Sequence, residues 1–198
     1  MFLKACAAVL SAAVAIPAMA TEFAIDTAHS YVSFKVPHMV VSKTKGQFND
    51  WSGTIKLADD VEKSSVEVTI QVASIDTANE DRDKHLRSAD FFDVDKAPTI
   101  TFKSRRVEKR GEKYVAYGDL TIKSTTKTVA LNFKLNGPIN DPWGNTRIGV
   151  EVEPLTIDRT EYGLTWSKAM ETGGLVVGND VTIELAVEAM APTKTEQS

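Results

Sequence analysis

The feature that most constrains this chain is a strict alternation of apolar and polar residues in short runs. Every second residue of 66–72 (VEVTIQV) is Val or Ile, and the residues between them are polar. The same pattern recurs over 129–135 (VALNFKL) and 181–187 (VTIELAV). Successive side chains of a β-strand point to opposite faces, so each run predicts a strand with one apolar and one polar face.

About eight such runs are separated by short polar turns, for example EKRGEK and GPINDPWGN. Short connections favour antiparallel neighbours over β-α-β crossovers. The polar faces carry Lys, Glu and Asp densely, which would be costly against lipid. We therefore expect the apolar faces to point inward, in an all-β, antiparallel, eight-stranded barrel or a barrel-like sandwich.

One segment breaks the alternation. Residues 80–92 read EDRDKHLRSADFF, and Thr77 with Glu80 resembles a capping box at a helix N-terminus. Arg87 lies near the expected C-terminus, where the helix dipole favours a cation. The pattern predicts one short helix near 79–89, followed directly by two phenylalanines.

The chain divides into three parts by composition. Residues 1–20 have a basic residue, an apolar run and a small-residue ending, which is the pattern of a cleaved signal peptide. Residues 21–190 are expected to form one barrel domain, and the polar residues 191–198 a flexible tail. The mature protein is therefore expected outside the cytoplasm, with no membrane span. The single cysteine, Cys6, lies in the part expected to be removed.

Charge and motifs argue against several classes of function. The net charge of −4 is unfavourable for nucleic-acid binding. The sequence contains no G-x-S-x-G motif, no Gly-rich phosphate loop and no metal-ligand spacing, so we expect no catalytic residues and no metal site. His29 and His38 are nine residues apart, and structural roles are expected for both. His38 is an even number of residues from Phe34 and Val36, which are expected to face inward, so it is also expected to point inward.

Aromatic residues mark one end of the expected barrel. Phe91 and Phe92 follow the helix, and Tyr162 and Trp166 lie in a second irregular segment. Two such segments suggest a lid over a ligand site or a simple cap on a packed core. Arg82, Asp83 and His85 on the helix could reach a ligand, act on one, or form local ion pairs, and all three options are open at this point.

The chain also resembles a known family. The resemblance rests on six sequence motifs, IDTAHSYVSFKVPHMV, GQFNDWSGTIKLAD, ASIDTANEDRDKHLRSADFFDVDKAPTITFKS, GDLTIKSTTKTVALNF, DPWGNTRIGVEVE and IDRTEYGLTW. They resemble, in order and spacing, the YceI-like family of bacterial periplasmic polyisoprenoid-binding proteins. The resemblance implies a lipocalin-like barrel that holds a long isoprenoid, such as a polyprenyl diphosphate or a ubiquinone-type lipid, for transport, without a catalytic cofactor.

This interpretation defines an expected site. The residues expected to line the lumen are Phe34, Val36, Ile70, Val72, Phe91, Phe92, Phe102, Leu120, Ile122, Leu131, Phe133, Val150, Trp166, Ile183 and Leu185. Those expected at the ligand head group are Arg82, His85, Arg159 and His38. Two alternatives are an enzyme that uses Asp83 and His85 as acid and base, and a filled barrel with an interaction role. The oligomeric state is open, and a homodimer is one option.

Overall fold

The structure is a computed structural model that describes residues 20–170 and 173–191. Among these residues there are twelve β-segments and one α-helix, α1, Glu80–Arg87. The β-segments are β1 (Thr21–Ile25), β2 (Tyr31–His38), β3 (Ser42–Phe48), β4 (Trp51–Leu57), β5 (Ser65–Gln71), β6 (Ile75–Asp76), β7 (Thr99–Arg110), β8 (Lys113–Ile122), β9 (Thr125–Asn140), β10 (Thr146–Val152), β11 (Leu155–Asp158) and β12 (Asp180–Ala191).

Four pairs of segments lie end to end and act as single interrupted strands. β1 and β2 both pair with β12 on one side, and β10 and β11 pair with it on the other. Likewise β3 and β4 continue one another beside β6 and β5. The twelve segments therefore form eight strands in up-and-down order, each paired antiparallel with the next. Pairing of β1 with β12 closes the ring, and the prediction of an eight-stranded barrel is confirmed.

The up-and-down order places alternate connections at opposite ends of the barrel. We call the end that carries residues 39–41, 77–98, 123–124 and 159–179 the upper end. The lower end carries the short connections 58–64, 111–112 and 141–145. The long connections thus all lie at the upper end. Segment 20–25, which contains β1, is an addition to the predicted strand set.

The apolar faces point inward, as the alternation predicts. A cluster at the lower end is fully packed and consists of Phe23, Ile148, Ala189 and Ala191. The larger cluster fills the upper end and reaches along the walls, with Trp51, Ile75, Phe91 and Tyr162 among its buried members. The small alanines leave room for the Phe23 ring and the Ile148 side chain.

Helix α1 is shorter than predicted, and its N-terminus differs from the capping box. The N-cap is Asn79, whose side chain accepts a hydrogen bond from the backbone N–H of Arg82 at 2.9 Å. Thr77 lies before the cap and binds Asp83 instead. Asparagine is a stronger N-cap than threonine, and the Thr77–Glu80 spacing placed the N-cap two residues too early.

Two further expectations concern Val72, which was expected to lie in a strand, and the two ends of the chain. Val72 is buried but begins a short 3-10 helix, Val72–Ser74, at the end of β5. The expected signal peptide and tail lie outside the described residues, apart from Ala20 and Ala191. No helix in the described part of the chain is long and apolar enough to cross a membrane.

Candidate functional site: an apolar cavity along the barrel axis

The barrel encloses a cavity of about 260 Å³. It extends from Val61 and Ser64 near the lower end to Phe91 and Val177 at the upper end. Its walls are apolar apart from three serines, Ser33, Ser64 and Ser65, and one charged residue, Arg159. An apolar space that reaches from near the lower end to the upper end, where Arg159 lies, suits a hydrocarbon that carries a polar group at one terminus.

Most of the predicted lumen residues lie on the cavity wall. Phe102, Leu131 and Phe133 are only half-buried although they point inward, because they face the cavity and not other side chains. The predicted residues found on the wall are Phe34, Val36, Ile70, Phe91, Phe92, Phe102, Leu120, Ile122, Leu131, Phe133, Val150, Ile183 and Leu185.

Val72 and Trp166 do not line the cavity, contrary to expectation. Val72 is only 1% exposed, but the 3-10 turn takes it out of the alternation of β5 and into the packed cluster. Trp166 lies behind Phe91, with ring centroids 5.1 Å apart, and so supports the wall from outside. The alternating pattern correctly indicated that Val72 is buried, and aromatic character correctly indicated that Trp166 packs against the core. Neither indicated that the residue lies off the cavity wall.

Two glycines that sequence reasoning did not single out give the wall its shape. Gly46 lies opposite Phe34 in the β2–β3 pair, and a Cβ there would collide with the Phe34 ring. Gly118 lies opposite Ser104 in the β7–β8 pair, and a Cβ there would collide with the ring of the nearby Phe102. Each glycine lets a phenyl ring lie against the sheet, which keeps the lumen open.

Leu86, Leu164 and Val177 also line the cavity at the upper end and were not predicted. Leu86 could have been found, because it is the single apolar residue of the α1 sequence EDRDKHLR and so marks the face that packs inward. Leu164 and Val177 lie in irregular chain, where no periodicity identifies an inward face.

Arg159 is the one predicted head-group residue on the cavity wall, although it exposes no polar atom to the cavity. It is 4% exposed, and its guanidinium donates to the backbone carbonyls of Gly178 at 2.8 Å, Val177 at 3.1 Å and Leu164. Burial lowers the pKa of Arg159, and the neighbouring Asp158 carboxylate opposes that shift. Among the described residues no carboxylate lies within ion-pair distance of Arg159, so backbone carbonyls accept its hydrogen bonds and Asp158 acts on its charge from a longer distance.

The other charges of the helix segment bind local protein groups. Arg82 donates to the Thr77 hydroxyl at 2.7 Å and the Thr77 carbonyl at 2.8 Å. Asp83 is 6% exposed and accepts from the Thr77 N–H at 2.9 Å and the Thr77 hydroxyl at 2.5 Å. Arg87 donates to the carbonyls of Ala73 and Ile75, both at 2.9 Å. These contacts hold α1 onto the barrel, and Arg82 lies off the cavity wall.

His85 likewise lies off the wall. Its Nε2 is 3.0 Å from a carboxylate oxygen of Asp90, and its ring meets Phe91 and Trp166 edge-on at centroid distances of 5.0 and 4.8 Å. Lys123 fixes the same region by donating to the Phe91 carbonyl at 2.7 Å. The two aromatic segments predicted at one end thus meet there and cover the cavity.

His38 and His29 lie in different surroundings. His38 forms a single β-bridge with Val177 at the upper end and is not on the cavity wall. His29 Nδ1 is 2.9 Å from Asp26 at the lower end. Asp26, His29 and Glu188 converge closely enough to hold a metal ion. However, Arg147 Nη1 already lies 3.0 Å from Asp26 and 2.5 Å from Glu188 and supplies the positive charge there.

The chain matches known proteins over most of its length. The model of the YceI-like domain family matches residues 23–189. A UPF0312 protein of Photorhabdus laumondii is 42% identical over 137 residues, which is 68% of this chain and 71% of the relative.

Solved structures share the barrel. BcnA of Burkholderia cenocepacia has a TM-score of 0.71 and 26% identity, and the match covers 83% of this chain and 98% of BcnA. A polyisoprenoid-binding domain of Saccharophagus degradans, implicated in plant cell wall breakdown, has a TM-score of 0.64 and 19% identity, with 86% and 98% covered. At that identity the second likeness concerns the fold alone.

Proposed function

The chain belongs to the YceI-like family, and from this premise we propose that it is a periplasmic carrier that holds a long isoprenoid lipid in its lumen. The observation that carries the proposal is the apolar cavity inside the barrel, which has one charged residue, Arg159, among the described residues of its lining. The signal-peptide pattern of residues 1–20 supports the periplasmic location. The polyisoprenoid-binding domain of the same fold supports the class of ligand.

Magnitudes indicate which part of the ligand dominates affinity. Burial of about twenty isoprenoid carbons contributes roughly 15 kcal/mol before the costs of binding, at ~0.8 kcal/mol per carbon. A charge-assisted hydrogen bond contributes only about 1.5–3 kcal/mol. The apolar wall therefore sets affinity, and Arg159 sets the choice of head group, either by pairing with a diphosphate or by donating to a quinone carbonyl.

Neither alternative function has an observation in its favour. Tight side-chain filling would support a barrel with only an interaction role, whereas this barrel contains a cavity. An enzyme would use Asp83 and His85 together, but Asp83 binds Thr77 and His85 lies beside Asp90. The carrier proposal accounts for the lumen, for its apolar walls and for the position of Arg159.

Titration of delipidated protein tests the proposal and the role of Arg159. The ligands are a polyprenyl diphosphate, the uncharged polyprenol of equal chain length, and a ubiquinone, with binding followed by intrinsic tryptophan fluorescence, to which Trp166 behind the wall contributes. All three should saturate the protein, and the diphosphate should bind at least roughly tenfold more tightly than the polyprenol. If none saturates, the carrier proposal is wrong. Equal affinity for diphosphate and polyprenol would remove Arg159 from the head-group site.

A further inference from the structure

Four apolar side chains at the upper end are exposed to solvent and lie together. Val40 and Val41 are 77% and 85% exposed, and Met39 and Leu175 are 42% and 39% exposed. We call these four residues the hairpin patch. Single exposed apolar residues are ordinary, but a contiguous group on the surface of a protein marks a contact site.

The patch joins the tip of the β2–β3 hairpin, residues 39–41, to the turn that contains Gly174 and Leu175. The Met39 N–H donates to the Val176 carbonyl at 3.0 Å, and a Cβ placed on Gly174 would lie 3.2 Å from Val40 Cγ2. Met39 and Val40 have φ values of 49° and 62°, in the left-handed region that β-branched residues rarely adopt. Glycine or asparagine would form this turn at lower cost, so solubility and turn formation do not explain a valine there.

The patch projects beyond the barrel and is continuous with the cavity wall. β3 pairs with β6 only at Gln47 and Phe48, so the β2–β3 hairpin extends past its neighbour. His38, next to the patch, bridges to Val177, which lines the cavity. A surface that covered the hairpin patch would therefore meet the upper end of the cavity.

The charge around the patch is basic although the chain as a whole is acidic. The sequence between Asp26 and Asp50 contains no Asp or Glu. Lys43 and Lys45 are exposed on the outward face of β3, and within residues 20–170 and 173–191 neither has an ion-pair partner. Lysines beside an exposed apolar tip are complementary to a membrane surface that carries anionic head groups.

The same lysines disfavour a second copy of the chain as the occupant. Residues 42–46 of β3 form an open edge in the described structure, since β6 covers only Gln47 and Phe48. An open edge could pair with another strand, but exposed lysines on an edge strand oppose such pairing. The apolar tip and the basic edge together therefore favour lipid over protein.

We propose that the hairpin patch docks on a lipid membrane with anionic head groups. Val40 and Val41 enter the interface, and Lys43 and Lys45 contact the head groups. The upper end of the cavity then faces the bilayer that supplies or receives the ligand; this last consequence rests on the proposed function, whereas the docking itself does not.

Co-sedimentation of the purified protein with vesicles tests the docking. The vesicles contain phosphatidylcholine alone or phosphatidylcholine with phosphatidylglycerol in a two-to-one ratio. The variant Val40→Ser/Val41→Ser should bind the vesicles about tenfold more weakly than the wild type. The reason is that the two valines, once inserted in the membrane interface, contribute most of the apolar contact. Lys43→Glu/Lys45→Glu should weaken binding only to vesicles with phosphatidylglycerol. Trp143→Ser is the matched control, because Trp143 is 79% exposed but lies at the lower end.

Several outcomes would overturn the docking. These are a wild type that does not bind either vesicle, a valine variant that binds as the wild type does, or a Trp143→Ser variant that loses binding. A valine variant that changes from dimer to monomer on size exclusion with unchanged vesicle binding would assign the patch to a second copy. Organic extraction of the same samples separates the two proposals: a full lipid load without vesicle binding refutes the docking alone, and an empty wild-type protein refutes the carrier function.

Discussion

One cluster at the lower end of the barrel is tightly packed, whereas the middle of the barrel is hollow, although both arise from the same alternating pattern. At the lower end, Phe23 and Ile148 are 2% and 1% exposed and pack against Ala189 and Ala191. In the middle, inward-facing residues such as Leu131 remain half-buried because they face the cavity. Alternation thus determines which face of a strand points inward, and side-chain volume determines whether the interior closes.

The largest predicted difference is in the free energy of unfolding, between a substitution in the packed cluster and one on the cavity wall. Ile148→Ala removes atoms from a packed region and should lower the free energy of unfolding by about 2–5 kcal/mol. Leu131→Ala only enlarges a cavity that already exists, so its cost should be less than about half of that. Urea unfolding followed by circular dichroism measures both values. Equal losses would show that the middle of the barrel is packed like the lower end.

The upper end adds a third kind of region, which polar contacts hold together. Asp83→Ala removes the acceptor of two hydrogen bonds from Thr77 and should cost about 1.5–3 kcal/mol of unfolding free energy. Lys84→Ala, at the exposed neighbouring position, is the control and should change it by less than about 0.5 kcal/mol. If the two variants were equally stable, the buried carboxylate would not anchor α1.

A smaller effect, on the rate of lipid release, is expected from a change at Phe91, where the upper end meets the cavity. Phe91→Ala removes a ring that lines the lumen and contacts both His85 and Trp166. Dissociation of a bound lipid should become roughly tenfold faster, equivalent to about 1.4 kcal/mol, because the cover is incomplete. Transfer of lipid to an excess of acceptor vesicles, measured over time, gives this rate. A rate equal to that of the wild type would mean that Phe91 only caps the core.

The smallest effect concerns the turn that closes the lower end. Asp141 accepts hydrogen bonds from Arg147 and from the backbone and side chain of Asn145, and these contacts hold the pKa of Asp141 well below its usual value. A carboxyl with a depressed pKa contributes stability above its unfolded pKa, and this contribution is lost as the pH falls towards the folded pKa. Asp141→Asn should therefore be less stable than the wild type at neutral pH.

The pH dependence supplies the check. The difference in urea midpoint between wild type and Asp141→Asn should shrink as the pH falls from about 5 to about 2. Lipid retention at neutral pH should stay unchanged, because Asp141 is not on the cavity wall. A constant difference at every pH would show that the carboxylate charge does not stabilise the turn.

The barrel could be predicted because its strands are amphipathic. The Val, Leu and Phe residues of 129–135 occupy every second position, and in the structure they line the cavity, whereas the residues between them are exposed to solvent. The same reasoning failed at Val72, where a 3-10 turn interrupts the strand. It also failed at Thr77, because the capping-box spacing outweighed the higher N-cap preference of asparagine, which places the cap at Asn79.

The proposed head-group site was harder to predict, since it depends on contacts between distant segments. Arg82, His85 and Arg159 are similar candidates by residue type. In the structure Arg82 binds Thr77, His85 lies beside Asp90, and only Arg159 is buried at the cavity wall. The carbonyls that hold Arg159 come from Leu164, Val177 and Gly178, in irregular chain without periodicity.

The most direct test of the central claim is organic extraction and mass spectrometry of the purified protein and of two matched variants. Leu131→Arg places a charge on the cavity wall, and Asn132→Arg places the same charge on the exposed face of the same strand. The wild type and Asn132→Arg should release an isoprenoid lipid in equal amount, and Leu131→Arg, if folded by circular dichroism, should release none. An unchanged lipid load on folded Leu131→Arg would contradict a ligand in the lumen.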